Sequence, residues 1–95
     1  MSGTSAPRGP GAHWTEPDGV HIEVRGLAPP APFVMILKLL DSLERSAALG
    51  QAASVVVHHD RDPVPLYAEL AQRGWQAQRI EGEPGEFRLR LSRNT

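Results

Sequence analysis

The sequence predicts a small α/β domain with the element order β-α-β-α-β-β. Three observations carry that expectation. Val20-His21-Ile22-Glu23-Val24-Arg25 and Phe87-Arg88-Leu89-Arg90-Leu91 alternate apolar and polar residues, the period of half-buried strands. Ala53-Ser54-Val55-Val56-Val57-His58 is β-branched and nearly continuous, the pattern of a central strand. Between those first two strands, Phe33, Ile36, Leu37, Leu40, Leu43 and Ala47 recur at helical spacing. Two consecutive β-α units imply parallel first and second strands joined by right-handed crossovers. A closing hairpin adds antiparallel strands, so the sheet is mixed. Two helices suffice for one face of it. His21, Glu23, Arg25, Arg88 and Arg90 then fall on the other face, which is expected to meet water.

The elements follow in order. Residues 1–18, rich in glycine and proline and without periodicity, are expected to form a disordered tail, and residues 19–95 the folded domain. Within the tail, His13 and Trp14 stand out. Arg25-Gly26-Leu27-Ala28-Pro29-Pro30-Ala31-Pro32-Phe33 joins the first strand to the first helix. Gly26 suits the turn, and prolines fit a first helical turn whose N–H groups have no intrahelical partner. That helix is expected from about Pro32 to Leu49, with Lys38, Asp41 and Arg45 on its polar face and Gly50 as its C-terminal cap. Asp62-Pro63 reads as the N-cap and first residue of a second helix ending near Gly74, with Leu66, Tyr67 and Leu70 on one side. Trp75 to Glu81 is a weaker strand, and Glu83-Pro84-Gly85-Glu86 is the turn before the last one.

Composition excludes several chemistries. The 95-residue chain has no cysteine, so disulfides, thiolate metal sites and cysteine nucleophiles are out. From Gly19 onward nine Lys and Arg meet nine Asp and Glu, which leaves no general pull toward nucleic acid or anionic membrane. No apolar run has membrane-spanning length, and a cytoplasmic location is expected. There is no defensible serine–histidine–acid set, no phosphate-binding glycine loop and no Cys/His metal spacing.

Gly26-Leu27-x-x-Pro30-x-Pro32, followed by an apolar stretch and Lys38, resembles the start of the TusA/SirA-like sulfur carriers, which have Gly-Leu-x-Cys-Pro-x-Pro there. Their element order is the same, and the resemblance runs from Val20 to Arg93. Arg25-Gly26-Leu27 with Asp62-Pro63-x-Pro65-Leu66-Tyr67 is similar to an uncharacterised branch of that superfamily, the domain-of-unknown-function 2249 family. The resemblance implies a two-layer α/β sandwich with four strands in the order 1-2-4-3 and two helices on one face. It implies a site where two helix N-termini meet the carboxyl ends of two parallel strands. It also implies a partner, hemerythrin-like or another redox protein. The carriers' cysteine position is Pro29, which has no nucleophile, so sulfur carriage by that mechanism is excluded.

The candidate binding site therefore comprises Arg25, Gly26, Pro29, Pro30, Lys38, His58, His59 and Asp60, with no catalytic residue. The expected function is a non-catalytic binding or interaction module that serves a redox or respiratory pathway through a partner protein. A rival reading is a metal- or haem-binding protein or enzyme using His58, His59 and Asp60. Neighbouring strand residues point to opposite faces, which opposes a joint grip on one ion. A third reading, an RNA-binding face on Arg79, Arg88, Arg90 and Arg93, is opposed by the interleaved Glu81, Glu83 and Glu86. The sequence specifies no cofactor.

Overall fold

Alternate apolar residues of the strands and one stripe of each helix meet in a single layer. The computed structural model describes residues 9–46 and 54–94. It contains β1 (His13–Glu16), β2 (Gly19–Glu23), α1 (Ala31–Arg45), β3 (Ser54–His59), α2 (Val64–Gln72), β4 (Trp75–Ile80) and β5 (Phe87–Arg93). Val20, Ile22, Val24, Val55, Val57, Leu89, Leu91 and Trp75 face Ile36, Leu39, Leu40 and Leu43 of α1 and Leu66 and Leu70 of α2. This is the α/β fold expected, with both helices packed into the one core.

The sheet departs in detail from the four strands in order 1-2-4-3. It has five strands in the order β1-β2-β3-β5-β4. Only β2 and β3 run parallel; the other neighbours are antiparallel. The additional strand comes from residues expected to belong to the tail. Pro17-Asp18 makes a two-residue turn, and the chain folds back so that Trp14 pairs with His21 and Glu16 with Gly19. Gly19 permits this approach: its φ is 136°, and a Cβ there would stand 2.4 Å from the Ser54 carbonyl oxygen. The first eight residues of the expected tail lie outside the described residues.

Two boundaries also shift. α1 ends at Arg45, and Ser46 is extended; the expected last turn and the Gly50 cap lie outside the described residues. α2 begins at Val64 with Pro63 in the N-cap position and no side-chain cap. Asp62 does not cap it, because its Oδ1 accepts the Tyr67 hydroxyl at 2.6 Å. Burial and that bond together push the Tyr67 hydroxyl up to about 12.

The face without helices is not simply wet. His21, Glu23, His58 and Glu86 are all buried there. The half-buried Trp14 stacks against His21 and His58, with centroids 5.5 and 5.6 Å away. The sequence-based expectation of exposure for His21 and Glu23 fails for two reasons. A fifth strand brings an aromatic ring over His21, and each of the two finds a partner within the face, His21 in Asp18 and His58 and Glu23 in Arg25.

Candidate functional site

The β2–α1 and β3–α2 connections lie side by side, as two successive β-α units require. Gly26, at φ 85°, turns the chain out of β2, and its N–H donates to Asp60 Oδ2 at 3.1 Å. That bond ties the two connections together and is the first cause holding the Asp60 carboxyl below its usual range. Between the connections and the first turns of both helices is a cavity of about 280 Å³. Pro29, Pro30, Pro32, Phe33 and Ile36 form one wall, and Pro63, Pro65 and Leu66 the other. Five prolines in one lining withhold five N–H donors, so the cavity is apolar where helix N-termini usually offer amides.

His59 is the buried polar residue of that lining, only 3% exposed. Its Nδ1 accepts the Asp60 backbone N–H at 2.9 Å. The Asp60 Oδ1 lies 3.2 Å from the same nitrogen. The shorter contact fixes Nδ1 as the acceptor and places the ring hydrogen on Nε2. Burial pushes the His59 pKa down, and the Asp60 carboxylate only partly opposes it, so the ring is neutral near pH 7. Among the described residues no hydrogen bond reaches Nε2.

His58, the next residue, points to the other side of the sheet. Its Nδ1 lies 2.6 Å from Glu86 Oε2, and its Nε2 lies 2.8 Å from His21 Nδ1. His21 Nε2 is in turn 2.7 Å from Asp18 Oδ1. Glu86 also accepts Nε and Nη2 of Arg88 and the Glu83 N–H, each at 2.9 Å. Burial alone would raise the Glu86 carboxyl, but these donors win and hold it at about 2. Gly82 makes the arrangement possible, since a Cβ there would lie 2.8 Å from Glu86 Oε1.

The structure thus brings together Gly26, Pro29, Pro30, His59 and Asp60 and separates the other candidates from them. Arg25 donates Nε and Nη2 to Glu23 at 2.9 and 2.7 Å on the helix-free face. Lys38 is exposed on α1 beside a different depression lined by Gly11, His13 and Met35. His58 and His59 diverge, and no group of three His, Asp or Glu suited to a metal ion occurs among the described residues. Phe33, Ile36, Pro65 and Leu66 were not among the candidates, although the i, i+3 spacing of Phe33 and Ile36 places them on one face of α1. Trp14, Asp18 and Glu86 were also absent from them. The stretch Glu16-Pro17-Asp18-Gly19-Val20 is a turn signature that points to the first hairpin.

A family model described as an uncharacterized conserved protein (DUF2249) matches residues 21–93. The chain belongs to the DUF2249 family. The matched span takes in both connections and the whole cavity, and in it DUF2249 covers α1, β3, α2, β4 and β5 entire. β1 and its turn precede the DUF2249 match, so Trp14 and Asp18 lie outside the matched region. No curated protein and no solved structure matches the chain. No helix among the described residues is long and apolar enough to cross a membrane.

Proposed function

We propose that this chain is a non-catalytic binding module that receives a small, largely apolar group in the proline-lined cavity, oriented by a hydrogen bond from His59 Nε2. One observation carries the reading: a nearly fully buried, neutral histidine lines an apolar cavity with its donor nitrogen unpartnered among the described residues. That nitrogen is not among the sealed, unpartnered atoms of the described residues, so it is open to the cavity, and an acceptor on the ligand would take the place of water on it. Mostly apolar walls with a few polar groups, here His59, Arg61 and Asp62, are the usual build of a small-ligand site. The lining offers no thiol, hydroxyl or amine nucleophile, and its carboxylate, Asp62, accepts the Tyr67 hydroxyl, which favours binding over covalent catalysis.

The family resemblance extends this proposal. We relate the fold to the TusA/SirA-like carriers, with Pro29 at the position of their cysteine and a ligand cavity in place of a persulfide. We further assign the module to a cytoplasmic redox or respiratory pathway, acting through a hemerythrin-like or other redox partner. A joint metal or haem site on His58, His59 and Asp60 gains no support from side chains that diverge.

The test is a screen of small aromatic carbonyl compounds against the full chain by amide NMR. Shifts centred on Phe33, Ile36, His59 and Leu66 are expected. His59→Leu is expected to weaken the carbonyl compounds about tenfold, the worth of one hydrogen bond, and to leave their hydrocarbon analogues unchanged. Shifts confined to the helix-free face, or equal losses for both compound sets, would overturn the proposal.

A further inference from the structure

The chain of contacts on the helix-free face has a hydrogen count that does not close with neutral histidines. Three short contacts join Asp18 to His21, His21 to His58 and His58 to Glu86. Each needs one hydrogen. The two carboxylates, when ionised, supply none. Two neutral imidazoles supply two. With only two, either one carboxylate faces a ring lone pair or two ring lone pairs face each other at 2.8 Å. Both arrangements are repulsive in a buried setting. Protonating Glu86 instead is disfavoured, because Arg88 grips that carboxylate through two nitrogens.

We propose that His21 and His58 share one extra proton between Asp18 and Glu86, and that this proton fastens the N-terminal hairpin to the sheet. The hairpin supplies three members of the assembly, with His21 on β2 among them. Asp18 is in its turn, and its carbonyl also accepts Ser54 Oγ–H at 2.8 Å. Trp14 on β1 stacks over both imidazoles, where a cationic ring pair under an indole face gains cation–π attraction. The added hydrogen makes His21 the imidazolium. Burial, the largest influence on His58, pushes that ring down, and Arg88 and the His21 charge add to the push against the pull of Glu86. His58 is thus the neutral ring, donating from Nδ1 to Glu86 and accepting at Nε2. A second proton is refused, since it would set two cations 2.8 Å apart.

The other charges facing the pair are largely balanced among themselves. On β1, Glu16 accepts the Trp14 indole N–H at 2.8 Å. On β2, Glu23 beside His58 is held by Arg25. From β5, Arg88 is held by Glu86, and Arg90 lies across Val56 from His21. Glu83 approaches Arg25 at 3.8 Å. Asp18 is therefore the carboxylate that answers the His21 charge. The hydrogen count gives the direction: without the shared proton one of the three contacts loses its hydrogen. The fastening is present at low pH and is lost as the pH rises through the titration of the pair.

The test uses the full chain. Ring-nitrogen NMR at about pH 6, near the ordinary histidine value of about 6.5, is expected to show both His21 nitrogens protonated. His58 should carry its hydrogen on Nδ1 alone. Trp14 emission is expected to change in one step between about pH 5 and pH 9, a range spanning that value. The step should be absent in Trp14→Phe and diminished in Asp18→Asn. Two neutral rings at pH 6, or a step unchanged in Asp18→Asn, would overturn the proposal. The wild-type NMR measurement decides even where a variant fails to fold.

Discussion

His58 and His59 are neighbours in the chain and belong to two different chemistries. His59 looks into the helix layer, where burial is apolar and the histidine is the exception. His58 looks into a face where burial is ionic, and Val56, not the histidine, is the exception. Apolar burial is non-directional, so the helix face needs only residues of suitable size at the right period. Ionic burial is directional: removing one partner strands the others at a cost above what the pair contributed. One side of this sheet therefore tolerates substitution by volume, and the other only by replacement of whole partnerships.

The largest effect is expected on the helix side. Leu40 is completely buried at the centre of α1. Leu40→Ala is expected to cost about 2–5 kcal/mol by denaturant unfolding, through lost transfer energy and the cavity left behind. That is a large part of the stability of a domain this size. A cost under about 1 kcal/mol would show that the core tolerates even volume loss, and the contrast between the faces would shrink.

Acid should break the other side. Glu86 is held at about 2 against an ordinary 4.5. A depressed carboxyl stabilises the fold above its unfolded value and loses that contribution as the pH falls. The window is therefore from about pH 4.5 down to about pH 2, and the loss about 3 kcal/mol. Glu86→Gln should already lack that stability at neutral pH and flatten the acid limb of the stability profile. An unchanged acid limb in the variant would place the titrating groups elsewhere.

The helix face was legible because its signals are periodic. Ile22, Leu40, Val57 and Leu89 declare their direction through residues two or four away. The order of α1, β3, α2, β4 and β5 followed from the same patterns. The cavity was half legible. Pro29, Pro30 and His59 were named from motif and strand end, but Arg25 and Lys38 went with them, because a linear motif does not say which side of a turn a side chain takes. The polar face was hardly legible at all. Asp18 and His21 are three residues apart, but His58 and Glu86 are far from them and from each other, and no period links the set. What links them is register: Trp14 opposite His21, and His58 opposite Arg88. Residues 9–18 looked like tail because a four-residue strand is too short for alternation to emerge from glycine and proline.

The N-terminal hairpin gives an intermediate test of the contrast. Gly19→Ala puts a Cβ where the Ser54 carbonyl stands and keeps a φ that side chains rarely adopt. The expected cost is about 1–3 kcal/mol. A change in Trp14 emission should accompany it, since the hairpin must move off β3. An equal cost without any spectral change would mean that the strain is absorbed within β3 and that the hairpin stays docked.

The smallest effect comes from placing the same substitution on each of the two neighbouring histidines. His58→Leu takes one hydrogen-bond partner from Glu86 Oε2 and one from His21 Nδ1 in a buried site. About 1–3 kcal/mol is expected to be lost. His59→Leu removes an acceptor for the Asp60 and Arg61 N–H groups, and both residues are exposed, so water can replace those bonds. Its unpartnered Nε2–H disappears into an apolar lining that suits leucine. The two terms oppose, and a net change within about 0.5 kcal/mol is expected, in either direction. Paired thermal melts of the two variants measure the difference. Equal losses would mean that His59 also has a structural partnership, and the cavity would then owe its buried histidine to folding and not to a ligand.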